Sequence, residues 1–178
     1  MTSELDIVIS TEAEGWDEAA CEVQITAAAL ATLAVVTLPP CARAEIGVTL
    51  SDDEQVRVLN RDHRGQDKST NVLSFPIDEP PQAPPPGAPL LLGDIVLARE
   101  TITAEALDQG KNFAAHLSHL VVHGVLHLVG YDHMIDQDAE RMEQLEREIL
   151  ARLGVADPYA PTQSPADTAA FDHHTSGP

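Results

Sequence analysis

The chain reads as a single α+β domain, a mixed sheet of about four strands with helices packed on it. Two observations carry this. The predicted elements run strand, helix, strand, helix, strand, strand and then helices, with no internal repeat, an order that suits helices laid on one sheet. The 178 residues are enough for one ordinary core, and an apolar share of 43% is normal for a globular protein. Aromatic residues make up only 3%, so the core is expected to be aliphatic.

Each element has its own signal. Leu5 to Ser10 (LDIVIS) alternates apolar and polar residues, the period of a half-buried strand. Trp16 to about Val36 is rich in Ala and Leu at roughly helical spacing and stops before Pro39-Pro40, as a helix should. Ala44 to Leu50 (AEIGVTL) reads as a second strand. Ser51 with Glu54 forms a capping-box pattern that opens a helix through about Asn60. Arg64 to Thr70 (RGQDKST) is a polar loop, and Asn71 to Phe75 (NVLSF) is a short apolar strand closed by Pro76. Asp78 to Pro89 is a proline-rich excursion suited to a surface loop. Leu90 to Ala98 (LLLGDIVLA) is the fourth strand, and its internal Gly93 suggests a bulge or a close approach of backbone. Arg99 to about Gln109 is helical and stops at Gly110. Asn112 to Leu128 is a strongly apolar helix broken by Gly130-Tyr131-Asp132, and Asp136 to Leu153 is a charged amphipathic helix ending at Gly154. Residues 1–156 are then the domain, and residues 157–178, rich in Pro, Ser, Thr and Ala, are expected to be a disordered tail.

Composition narrows the function classes. The longest apolar stretch, Ala27 to Leu38, is interrupted by Thr32 and Thr37 and falls short of the roughly 20 residues that cross a bilayer. The N-terminus, MTSELDIVIS, has no basic region, so no secretory signal is expected there. Cys21 and Cys41 make neither a disulfide framework nor a CxxC pair, which suits a reducing cytoplasm. The formal net charge of -19 argues against loose binding of polyanions, which runs through Lys and Arg. Yet Arg57, Arg61, Arg64 and Lys68 fall in one segment opposed there only by Asp62 and Asp67. That stretch is locally positive, with a solvated surface loop as the plain alternative.

The chemistry concentrates in histidines. His116, His119, His123 and His127 are spaced three, four and four, and at about 100° per residue they lie within roughly 80° of one another on a helix. His123 and His127 are one turn apart, so their imidazoles can converge on one ion. Gly130 can end the helix and reverse the chain, and His133 follows three residues later, placed to swing back under the same ion. The pattern HxxxHxxGxxH thus predicts a metal site on a helix and the turn after it. Three imidazoles favour one zinc ion, and three protein ligands leave the fourth position open, as in a catalytic zinc. His119 is expected beside the site rather than in it. In zinc proteases the residue after the first histidine is a glutamate general base. Here it is Gly124, which counts against peptide hydrolysis; Asp132 is the nearby carboxylate, as base or as hydrogen-bond partner of a ligand.

The run HGVLHLVGYDH, His123 to His133, resembles the YbeY family of bacterial metal-dependent endoribonucleases of ribosomal RNA maturation, whose pattern is HGxLHLxGYDH. The likeness extends to LNRDHRGQDKSTNVLSFP (Leu59 to Pro76), LLGDIVLA (Leu91 to Ala98), DAERMEQLEREIL (Asp138 to Leu150) and DPY (Asp157 to Tyr159). It covers roughly Leu5 to Tyr159 without the proline-rich loop. It implies an α+β fold and cleavage of single-stranded RNA in small-subunit ribosomal RNA 3′-end maturation and ribosome quality control. The implied partners are ribosomal RNA, the small subunit and ribosome-associated proteins, in the cytoplasm and without a membrane. The family's zinc ligands fall on His123, His127 and His133, and its functional arginine falls on Arg64. One departure is His63, where the family commonly has Tyr or another aromatic residue, which leaves the packing of the arginine segment open.

The mechanism expected from this puts Arg64 in the zinc cleft, gripping the scissile phosphate, with Arg61 and Lys68 tracking the flanking backbone. The acidic remainder suggests RNA delivered in a ribosomal complex. Two other readings are a zinc hydrolase of another substrate, such as a peptide or small ester, and a non-catalytic ribosome-assembly factor with structural zinc.

Overall fold

The computed structural model describes residues 4–132 and 135–160. The elements follow the predicted order: β1 (Glu4–Thr11), α1 (Glu18–Val35), β2 (Arg43–Ser51), α2 (Asp53–Arg64), β3 (Val72–Pro76), β4 (Leu90–Ala98), α3 (Arg99–Asp108), α4 (Phe113–Leu128) and α5 (Asp136–Arg152). One mixed sheet of four strands has the order β1-β2-β4-β3. β1, β2 and β4 are parallel, and β3 returns antiparallel along β4.

β4 shows how the sequence builds two cores from one strand. Leu90 and Leu92 face the large cluster, and so do Ile95 and Leu97, although the two pairs have opposite parity. A strand has period two, so an extra residue must lie between them. It does: Glu45 pairs Leu91 while Ile46 pairs Gly93, which leaves Leu92 as the bulge. Gly93 has φ of 134°, a conformation that L side chains rarely adopt. A Cβ there would overlap the carbonyl oxygen of Phe75 and come 2.9 Å from Pro76 Cα. Bulge and close approach therefore coincide. Beyond it, Val96 and Ala98 turn to the other face and pack with Val56 of α2 and Leu73 of β3.

α4 lies at the centre of the helical layer, against α1, α3, α5, β3 and β4. Leu117, Leu120, Val121, Val122, Val125, Leu126 and Leu128 are all buried, so this helix is apolar nearly all round, as a core helix is. Asn112 caps it, its side chain accepting from Ala115 N at 2.7 Å. α1 is long and apolar enough by length and composition to cross a bilayer. Here its Cys21, Ile25, Ala28, Ala29 and Thr32 are buried in the domain, and it packs chiefly on α4.

α2 departs from the expectation at both ends. Ser51 does not cap it: β2 runs one residue further, Ser51 pairs with Ala98, and its carbonyl accepts from Trp16 Nε1. The cap is Asp52, which accepts from Gln55 N at 2.8 Å. At the other end the helix passes Asn60 and runs to Arg64, because its last turn is solvent-facing and carries no apolar residue to mark it.

Candidate active site

A cavity of about 670 Å³ opens between the end of α2, the loop that follows, β3 and the C-terminal half of α4. Arg64, Lys68, Ser74, His123, His127 and Asp132 are in its wall.

The basic wall is held by the way α2 stops. Gly65 adopts the left-handed region (φ 69°) and returns its N–H to Arg61 O at 3.1 Å. Gln66 N then donates to Asn60 O, and the buried Asn60 side chain donates to Lys68 O at 2.9 Å. The loop is thereby folded against the helix. Arg64 Nη2 donates to Ser74 O on β3 at 3.0 Å, so its guanidinium is anchored at the cavity edge. The predicted basic stretch divides in two. Arg57 is engaged by Asp67 at 2.8 Å and by Glu54, and Arg61 by Asp62 at 3.0 Å, and neither lines the cavity. Lys68 and Arg64 do. His63, the residue where the sequence departs from the pattern it resembles, packs edge-on to Phe75, with ring centroids 5.3 Å apart.

On the opposite wall, His123 and His127 bring their Nε2 atoms to 3.1 Å. His133 lies outside the described residues. Among the described residues no group of three or more potential ligands forms, so this pair is what the predicted trio contributes there. Gly130 has φ of 101° and turns the chain after α4, with Tyr131 N returning to Leu126 O at 3.0 Å.

Gly124 has a packing role. A Cβ there would lie 3.0 Å from Ile95 Cδ1 and 3.2 Å from Ser74 Oγ. Ser74 Oγ also donates to Gly124 O at 3.3 Å. The position after His123 thus faces the sheet, where α4 lies closest to it. A protease-type glutamate would point into Ile95 rather than at the cavity.

The sequence reading missed the group that anchors the histidines from behind. Glu146 of α5 is fully buried, yet its Oε1 lies 2.5 Å from His123 Nδ1 and its Oε2 3.4 Å from His119 Nε2. The Tyr159 hydroxyl donates to the same Oε2. Burial alone would raise this carboxyl, but hydrogen bonds from His119, His123 and Tyr159 outweigh it and hold the group at about 2. Burial, and then the bond to Glu146, pushes the Tyr159 phenol up. Asp157 and Tyr159, which the sequence assigns to the tail, pack back on α5. A signal was present: Glu146 stands four residues after Met142 and three before Ile149, on the buried stripe of an otherwise charged helix. His119 sits beside this carboxylate, consistent with a neighbour rather than a ligand.

The donor set fits zinc. An ionised Glu146 can only accept, so His123 Nδ1 carries the proton and Nε2 presents a lone pair to the cavity. Two imidazole nitrogens at this separation need a proton or a cation between them, and a tetrahedral ion bonded at about 2.0–2.1 Å sets two nitrogens about 3.3 Å apart.

Comparison with known proteins agrees with the geometry. The family profile for Endoribonuclease YbeY matches residues 6–154. The endoribonuclease YbeY of Paramagnetospirillum magneticum is 50% identical over 161 residues, 89% of this chain and 98% of that one. That of Azorhizobium caulinodans is 50% identical over 159 residues, 88% and 96% of the two chains. A Rhodopseudomonas palustris relative of the same name reaches 62% over 119 residues, 67% and 69%. The solution structure of TM1509 from Thermotoga maritima shares the fold, with a TM-score of 0.53 at 23% identity over 87% of this chain and 99% of that one. A profile spanning most of the residues, joined by relatives at half identity along nearly their full length, establishes that the chain belongs to the endoribonuclease YbeY family.

Proposed function

We propose that the protein cuts single-stranded RNA in the cavity beside α4, with one zinc ion held by His123, His127 and His133 and the phosphate gripped by Arg64. Family membership makes it a hydrolase with RNA as substrate. One observation supports the assignment of this cavity: Arg64 lines the same wall-to-wall space as the convergent Nε2 atoms of His123 and His127. A zinc ion held by these histidines would supply Lewis acidity and make a nearby water more acidic. The protein supplies the rest. Glu146 keeps the His123 ring turned toward the ion. Arg64 donates paired hydrogen bonds to phosphate oxygens and stabilises the charge that builds there, an effect worth about 10²–10³-fold in rate for a well-aimed donor. Lys68 neutralises a neighbouring phosphate. Asp132 and Glu79 are the lining carboxylates among the described residues, and we assign the proton transfer to Asp132, which follows the histidine helix.

The substrate we assign is ribosomal RNA at the small subunit, in 3′-end maturation and ribosome quality control, in the cytoplasm. The charge of -19 supports this reading, because it repels loose RNA, while Arg64 and Lys68 stand together on one wall of a cavity that also holds Glu79 and Asp132. Metal analysis paired with a ribosomal RNA cleavage assay tests it. Arg64→Ala should keep its zinc and lose about 10²-fold or more in cleavage. His123→Ala should lose both. Zinc loss in Arg64→Ala, or full activity in either variant, overturns the assignment.

A further inference from the structure

Among the described residues, the segment past α5 reaches the site through Glu146 and His119, and its contacts are specific. α5 ends at Arg152, Gly154 turns the chain with φ of 74°, and Val155 N returns to Leu150 O at 2.9 Å. Asp157 accepts from Tyr159 N at 2.8 Å and meets Arg147 Nε at 3.4 Å. The Tyr159 ring then lies under the Arg147 guanidinium, 5.2 Å from its centroid, and edge-on to His119 at 5.7 Å. So held, its hydroxyl reaches the buried Oε2 of Glu146.

We propose that Tyr159 is a positioning residue of the metal site: with His119 it clamps the Glu146 carboxylate, which in turn fixes the His123 ring with Nε2 facing His127. A buried carboxylate needs its lone pairs filled to stay in one orientation. Oε1 is taken by His123, and among the described residues Oε2 has His119, at a long 3.4 Å, besides the phenol. Removing the hydroxyl leaves Oε2 weakly held, so the carboxylate swings and His123 Nδ1 loses its fixed acceptor. The ring itself remains seated by Arg147 and His119, so Tyr159→Phe removes the hydrogen bond without removing the packing. The turn bearing Asp157 and Tyr159 is on this account a latch on the cavity's histidines.

The inference rests on the zinc reading above, and the test separates the two. Full-length wild type, Tyr159→Phe, Glu146→Gln and the double variant are compared for zinc affinity by competition with a chromophoric chelator. The tautomer of His123 is read in the zinc-free chains from ring ¹⁵N shifts. Loss of a direct partner of a metal-bound histidine costs about 10–100-fold in metal affinity, so Glu146→Gln should fall in that range and Tyr159→Phe, one bond further out, at about threefold to tenfold. The double variant should match Glu146→Gln, since Tyr159 acts through that carboxylate. In Tyr159→Phe the Nδ1–H tautomer of His123 should give way to a mixture. Wild-type affinity with an unchanged tautomer in Tyr159→Phe overturns the latch, and so does a double variant that adds the full Tyr159→Phe loss to that of Glu146→Gln. A wild type that binds no zinc overturns the metal reading instead, while the tautomer still decides the latch. If Glu146→Gln does not fold, the tautomer in Tyr159→Phe decides alone.

Discussion

Gly124→Glu restores the residue that a zinc protease carries after its first histidine, and the packing of α4 says that it will disable the domain rather than convert it. The Cβ alone would sit 3.0 Å from Ile95 Cδ1 and 3.2 Å from Ser74 Oγ. Overpacking of this kind costs about 1–3 kcal/mol. Beyond the Cβ, the carboxylate enters a space between a fully buried Ile95 and a 7% exposed Ser74, and an imperfectly paired buried charge costs several kcal/mol more. Helix propensity returns only about 0.5 kcal/mol. The net loss is about 3–6 kcal/mol, a large share of the roughly 5–15 kcal/mol that holds a domain together. For a chain of this size that lowers Tm by about 6–24 °C. Urea unfolding of the zinc-free chain and a peptidase assay of the zinc-loaded one make the measurement. Gly124→Ala is the control, because its helix gain of about 1 kcal/mol offsets most of the Cβ contact. A Gly124→Glu chain within about 1 kcal/mol of wild type, with new peptidase activity, would show that position 124 faces the cavity and that the reasoning is wrong.

Two further outcomes follow from the geometry. Gly93→Ala places a Cβ against the Phe75 carbonyl at φ of 134°, so it should destabilise by about 2–6 kcal/mol, whereas Gly110→Ala, with positive φ but open space, should cost only about 1–2 kcal/mol; equal losses in urea unfolding would refute the steric account. His116 is lowered from 6.5, chiefly by burial, against the upward pull of Glu105 at 2.7 Å, with His119 and Lys111 as its other charged neighbours. A depressed histidine stabilises the fold fully above its unfolded value and loses that contribution as pH falls through the folded one. Stability should therefore decline below about pH 6.5, by up to about 1.4 kcal/mol per unit, and His116→Gln should flatten the slope; an unchanged slope would assign it elsewhere.

Most of the fold was legible because its signals are local. Strand alternation, the stop at Pro39-Pro40, and the helix-ending glycines at 110, 130 and 154 all act within a few residues. What was not legible depends on neighbours distant in sequence. Ser51 is a plausible cap until β4 arrives to extend β2 through it. Arg64 reads as a loop residue because the last turn of α2 buries nothing, and only Gly65 shows that the arginine stands on a helix end. Within the site, the histidine spacing announces itself, since one helical turn brings His123 and His127 together. Glu146 does not, because a glutamate in DAERMEQLEREIL looks like its exposed neighbours until the Met142 and Ile149 stripe is traced. Tyr159 depends on a chain reversal that Asp157 and Arg147 create, and no periodicity reports it.

The bond from Arg64 to Ser74 has a bearing on solubility as well as on chemistry. Among the described residues β3 is an edge of the sheet, paired with β4 alone. Asn71 O accepts from Ala98 N, so by alternation Ser74 O points away from β4, on the open side of the strand. Such edges invite another chain to pair, and proteins guard them with charge. The Arg64 guanidinium occupies that carbonyl at 3.0 Å. If the same residue guards the edge, Arg64→Ala preparations should show a greater tendency to oligomerise in light scattering, and an unchanged size distribution would refute it.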